Sequence, residues 1–125
     1  MVPQELAKNN IFMFSVFDGH GSNGQIVSFV LKKSLAHKIS NNLVELTPEG
    51  IKTAVYKGCY STNNQILKNG FDSYLSGSTA INILIHKNML ISANVGDSRA
   101  IMGKMYKDGK WKYCELSRDH KPEIE

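Results

Sequence analysis

Two short segments concentrate the residues that can do chemistry. The first, Asp18-Gly19-His20-Gly21-Ser22-Asn23-Gly24, sets a carboxylate and an imidazole among three glycines. The second, Asn94-Val95-Gly96-Asp97-Ser98-Arg99-Ala100, sets a second carboxylate beside a glycine and a guanidinium. A carboxylate flanked by glycines suits a hard divalent ion such as Mg²⁺ or Mn²⁺, which takes oxygen ligands and keeps waters to complete its shell. Asp18 can ligate one such ion or bridge two, and His20 can hand a proton to a leaving group. A plain connecting turn is the competing reading, because Asp-Gly and Asn-Gly also supply positive-φ positions.

Two further readings fail on physical grounds. Gly19, Gly21 and Gly24 satisfy G-x-G-x-x-G, and Glu45 follows roughly 20 residues on, as in a dinucleotide fingerprint. Asp18, however, would set a negative charge beside a pyrophosphate that wants bare N–H groups and a helix dipole. Glu45 also runs straight into the Thr47-Pro48 helix start instead of ending a second parallel strand. Gly96-Asp97-Ser98, with His20 upstream, imitates a serine-protease nucleophile segment. Arg99 stands where the following glycine should be, and no G-x-S-x-G elbow surrounds Ser78 or Ser98. The structural reading of this segment is an Asp-Ser turn with Arg99 paired to a neighbouring acid.

The elements that must position these segments are legible from periodicity. Ile11 to Phe17 is aromatic and β-prone and stops at Asp18-Gly19, which predicts a buried strand. Val27, Val30, Leu31, Leu35 and Ile39 recur at helical spacing, predicting a helix from about Gly24 to Asn41 with Lys32, Lys33 and Lys38 on its wet side. Thr47-Pro48-Glu49 supplies a cap, a first-turn proline and an acid for a second helix running to about Leu67 and stopped by Asn69-Gly70. The period then changes to two. Ala80 to Ile85, Met89 to Val95, Arg99 to Met102 and Lys112 to Leu116 read as a meander turned at Lys87-Asn88 and Lys107-Asp108-Gly109. One strand, two successive helices and a meander make an α+β layer. One strand before the helices and four after them cannot easily close a sheet core by themselves, and no terminating element follows the Ser117 to Pro122 segment, so the fold reads as incomplete at both ends.

Composition narrows the class. The chain has 125 residues, 42% hydrophobic and 21% charged, which suits one globular unit and excludes collagen-like or disordered composition. The longest apolar run, Ile11 to Phe17, is broken by Ser15 and is far shorter than the roughly 20 residues of a membrane span, and no signal peptide opens the chain. Cys59 and Cys114 are too few and too far apart for a disulfide framework or a zinc knuckle. The expected setting is therefore intracellular, cytoplasmic or nuclear, away from the membrane. The net charge of +4 comes mostly from scattered lysines, a solvated face, not a nucleic-acid stripe. His37, His86 and His120 read as surface or structural residues.

Phe14-Ser15-Val16-Phe17-Asp18-Gly19-His20-Gly21, Ser76-Gly77-Ser78-Thr79-Ala80, Ala93 to Ala100 and Leu116-Ser117-Arg118-Asp119-His120-Lys121-Pro122, in that order, resemble successive motifs of the metal-dependent protein phosphatases of type 2C. The resemblance spans nearly the whole chain and implies one partial catalytic domain, residues 1–125, of a four-layer αββα sandwich of antiparallel sheets flanked by helices. It implies hydrolysis of phosphoserine and phosphothreonine on proteins by a metal-activated water, without a phosphoenzyme. Asp18 matches the carboxylate bridging two Mg²⁺ or Mn²⁺ ions, and Gly19 the glycine whose carbonyl reaches one of them. Asp97 matches an aspartate of a third, weaker metal site, and His20 the general acid for the departing oxygen. Ser78, Thr79 and Ser98 are implied to be structural.

The chain departs from the family pattern at its ends. No arginine precedes Arg99 to grip the phosphate, and Glu5 is the only acid before Asp18, in surroundings unlike the family's upstream Glu-Asp pair. The later metal-binding aspartates are expected beyond Glu125. A noncatalytic phosphatase-like binding module is the alternative reading, and in either case little activity is expected of these residues alone. A truncated sandwich would expose sheet edges and an apolar face, which predicts self-association.

Overall fold

A computed structural model describes residues 4–70 and 73–122. The elements run α1 (Gln4–Ala7), β1 (Ile11–Val16), β2 (Gly19–His20), α2 (Gly24–Asn41), α3 (Pro48–Lys68), β3 (Gly77–Ser78), β4 (Ala80–His86), β5 (Met89–Val95), β6 (Ile101–Met105) and β7 (Trp111–Glu115). The capping expected at Thr47 is present: its hydroxyl accepts from the Gly50 amide at 3.1 Å, with Pro48 at the helix start and Glu49 in the first turn. Lys68, not Leu67, is the last residue of α3.

The main sheet is three-stranded and antiparallel, in the order β1-β4-β5. Its alternation divides two faces. Ile11, Met13, Leu84 and Ile91 turn toward the helices and join Leu31, Leu35 and Ile39 of α2 with Ile51, Ala54 and Ile66 of α3 in one core. Leu6 of α1 is fully buried against the same cluster. On the opposite face Phe12, Phe14, Val16 and Leu90 are exposed, Phe14 by 52% and Val16 by 62%. The helices thus cover one side of the sheet, as the expected α+β sandwich half requires.

The meander of the sequence reading needs one correction. β4 and β5 form its first hairpin, but β6 and β7 pair only with each other in a separate two-stranded sheet. Gly96 takes a φ of 97°, which turns the chain out of the first sheet, and the next strand begins at Ile101 instead of Arg99. A second small pairing was also not foreseen, Gly19 with Ser78 and His20 with Gly77.

The two helices approach each other at Gly58, where a Cβ would lie 2.6 Å from Ile39 Cγ1 and 3.0 Å from the Ile39 backbone nitrogen. Backbone cannot give way as a side-chain tip can. Gly58→Ala is therefore expected to destabilise by about 1–3 kcal/mol through overpacking, against the roughly 1 kcal/mol that alanine gains by helix propensity. Urea unfolding reads the sign, and a net gain in stability would contradict this packing.

Candidate active site

Antiparallel pairing brings the end of β1, the start of β4 and the end of β5 to one edge of the main sheet, since Val16 faces Ile81 and Ala80 faces Val95. The Asp18 turn, the Gly77-Ser78-Thr79 segment and the Asp97 turn leave from that edge. Thr79 joins them. Its hydroxyl accepts from the Asp18 amide at 3.1 Å, its amide donates to the Asp18 carbonyl at 2.9 Å, and its Oγ1 lies 2.7 Å from Ser98 Oγ. The two turns singled out in the sequence are therefore neighbours, and the residue linking them is one that motif reading left as scaffold.

Gly19 is held against the start of α2. A Cβ on Gly19 would lie 2.2 Å from the Gly24 carbonyl oxygen, so no side chain fits between the turn and the helix. The Asn23 amide donates to Ser76 Oγ at 3.0 Å, which ties the same turn to the segment before β3. Asp18, Gly19, His20 and Asp97 are all exposed. Beside His20 a cavity of about 400 Å³ opens, lined by Val27, Leu31, Cys59, Ile66 and Val95 among others. Burial pushes the Cys59 thiol up, away from the thiolate a nucleophile needs. Cys59 and Cys114 are both free.

The Asp97 turn is fastened from the far end of the chain. Arg99 donates from Nε to Asp119 Oδ1 and from Nη2 to Asp119 Oδ2, both at 2.8 Å, and Nη1 reaches Glu115 at 3.4 Å. Asp119 is the neighbouring acid expected for Arg99, although 20 residues separate them. Asn94 Nδ2 donates to the Gly96 and Arg118 carbonyls, and the His120 amide donates to the Gly96 carbonyl, each at 2.9 Å. The His120 ring accepts from the Gly96 amide at 3.4 Å and the buried His86 has Nδ1 3.2 Å from the Asn10 carbonyl, so both rings engage backbone, as a structural reading expects.

Among the described residues no three His, Cys, Asp or Glu side chains come together as a metal-holding group. Asp18 and Asp97 are two carboxylates on adjoining turns, short of the ligand set that a binuclear centre requires. The side chains described here do not by themselves fit such a centre.

The protein phosphatase 2C family model matches residues 2–125, and the chain belongs to that family. It is 36% identical to Probable protein phosphatase 2C 39 of Arabidopsis thaliana, over 98% of this chain and 39% of that protein. With Protein phosphatase 1B of Homo sapiens it shares 31% identity, over 87% of this chain and 24% of that one. The chain thus spans well under half the length of these relatives. A serine-threonine phosphatase 2C structure from Toxoplasma gondii superposes on 91% of this chain and 42% of its own with a TM-score of 0.63 at 21% identity, a likeness of fold. Membership implies dependence on a divalent metal. No helix among the described residues is long and apolar enough to cross a membrane.

The Arg99–Asp119 pair gives the fold an acid-sensitive contact. The hydrogen bonds from Arg99 chiefly, with its charge and Lys121, hold the Asp119 carboxyl at about 2 against an ordinary value of 3.8, while desolvation opposes them. A depressed folded-state value contributes stability that is fully present above the ordinary carboxylate pKa and is lost as pH falls from about 4 toward about 2. Asp119→Asn should lower the urea midpoint near neutral pH and flatten its acid limb in that window. An unchanged acid limb would remove the pair from the stability of this turn.

Proposed function

We propose that residues 1–125 form one partial catalytic domain of a Mg²⁺- or Mn²⁺-dependent phosphatase acting on phosphoserine and phosphothreonine in proteins. The observation that carries this reading is the joining of the Asp18 and Asp97 turns through Thr79 at one sheet edge. Asp18, the Gly19 carbonyl and Asp97 would contribute part of the ligand set for two ions and a third, weaker one. His20 would protonate the departing serine or threonine oxygen as its bond to phosphorus breaks, with water supplying the new phosphorus–oxygen bond. The free cysteines accord with a cytoplasmic or nuclear setting.

The matched segment of Probable protein phosphatase 2C 39 provides the test, because that relative supplies the length this chain does not span. A chimera carrying residues 1–125 in its place should release phosphate from a phosphothreonine peptide with Mn²⁺. Asp18→Asn and EDTA should each abolish release, and His20→Gln should slow it by about 10²-fold or more. The 125-residue chain alone should release little. A folded chimera that turns over no substrate would instead favour a noncatalytic phosphatase-like module.

The exposed Phe12, Phe14, Val16 and Leu90 face, with β1 and β5 as open sheet edges, supports self-association of the chain on its own. Light scattering after size exclusion should give a mass that rises with concentration, and Phe14→Lys should return it to the monomer. A monomeric mass for the parent chain at high concentration would end this proposal.

A further inference from the structure

A proton donor works only if its ring is held in one direction, yet among the described residues no hydrogen bond or ion pair holds the His20 imidazole. The ring lies across Gly77, its antiparallel partner in the β2–β3 pairing. A Cβ on Gly77 would sit 2.7 Å from His20 Nε2 and 2.8 Å from Cε1, well inside van der Waals contact. The edge of the imidazole therefore occupies the space that a side chain at position 77 would take. Gly77 is not a turn glycine: it lies in a strand pair, and it is absent from the positive-φ glycines. Its backbone conformation suits any residue, so what glycine alone provides there is the missing Cβ.

The strand is held more firmly than the exposed ring, so a Cβ here would displace the imidazole. Ser76 accepts from the Asn23 amide on one side of Gly77, and Thr79 exchanges two hydrogen bonds with Asp18 on the other. We propose that Gly77 is a positioning residue, the floor on which the His20 imidazole lies and which fixes the direction of its ring nitrogens. The catalytic consequence rests on the reading of His20 as the proton donor; the contact itself does not.

Three measurements decide it. In the 125-residue chain, nuclear Overhauser contacts should join the His20 ring Hε1 to the Gly77 α protons, and their absence from the folded chain overturns the proposal without any variant. Gly77→Ala should displace the exposed ring, so that the contacts from Hε1 to position 77 are lost while the chain stays folded. Retention of those ring contacts in Gly77→Ala overturns it. In the chimera, Gly77→Ala should lower kcat on the phosphothreonine peptide about tenfold or more, with KM within about twofold, and should add no further loss to His20→Gln. A full additional loss there overturns it as well. If His20→Gln leaves kcat unchanged, the proton-donor reading fails, and the ring contacts in the parent chain and in Gly77→Ala still decide the role of Gly77.

Discussion

Thr79, the residue just before β4, makes three polar contacts that join the two turns at the sheet edge, and the geometry of the candidate site depends on them. Its backbone amide and its hydroxyl both engage the peptide of Asp18, which fixes where the first carboxylate leaves the sheet. The same hydroxyl meets Ser98, beside Asp97. Thr79 is buried, so its side chain sits where water competes little for these bonds and where an unmade one costs most. Close contact reinforces the polar ones: a Cβ on Gly96 would lie 2.8 Å from Thr79 Cγ2, so the second turn presses directly on the threonine methyl.

This pin works because the elements behind it are held at short range. The Asp18 turn abuts α2 at Gly19 and Gly24, and α2 abuts α3 at Gly58. Displacement of either helix is therefore passed to the turn with little slack, as expected of close-packed interiors. The Asp97 turn has a different anchor. A bidentate ion pair and backbone hydrogen bonds tie it to residues 118–120, which return past the whole β6–β7 hairpin to reach it. One carboxylate is thus positioned by packing and the other by a charge-assisted clamp.

What the sequence disclosed follows the same division. Both long helices and strands β1, β4 and β5 were legible because burial on one face imposes a period of 3.6 or 2 on enough residues to be seen. Alternation says nothing of which sheet a strand joins, and β6 and β7 were for that reason read as a continuation of the meander. The four residues of α1 carry no period, although Leu6 within it is fully buried. Asp18, His20 and Asp97 stood out by type and by motif. Thr79 and Gly77 lay within a motif but were read only as scaffold, since their importance lies in contacts to segments more than fifty residues away. Arg99 was expected to pair with an acid, but nothing local distinguished Asp119 from the other candidates.

That pairing bears on the balance of charge at the two turns. Nε and both terminal nitrogens of Arg99 are engaged by Asp119 and Glu115, and the ion pair raises the guanidinium pKa still further, so this arginine is a clamp and not a phosphate receptor. Arg118 is exposed, but its carbonyl, not its guanidinium, is what fastens the turn. The two turns therefore present two exposed carboxylates, while Arg99, the one guanidinium within them, is already committed to Asp119 and Glu115. Both carboxylates are exposed, so their repulsion of a negatively charged group is present but weakened by water and salt. Divalent ions would offset that repulsion, but Asp18 and Asp97 supply only part of the ligand set such ions need.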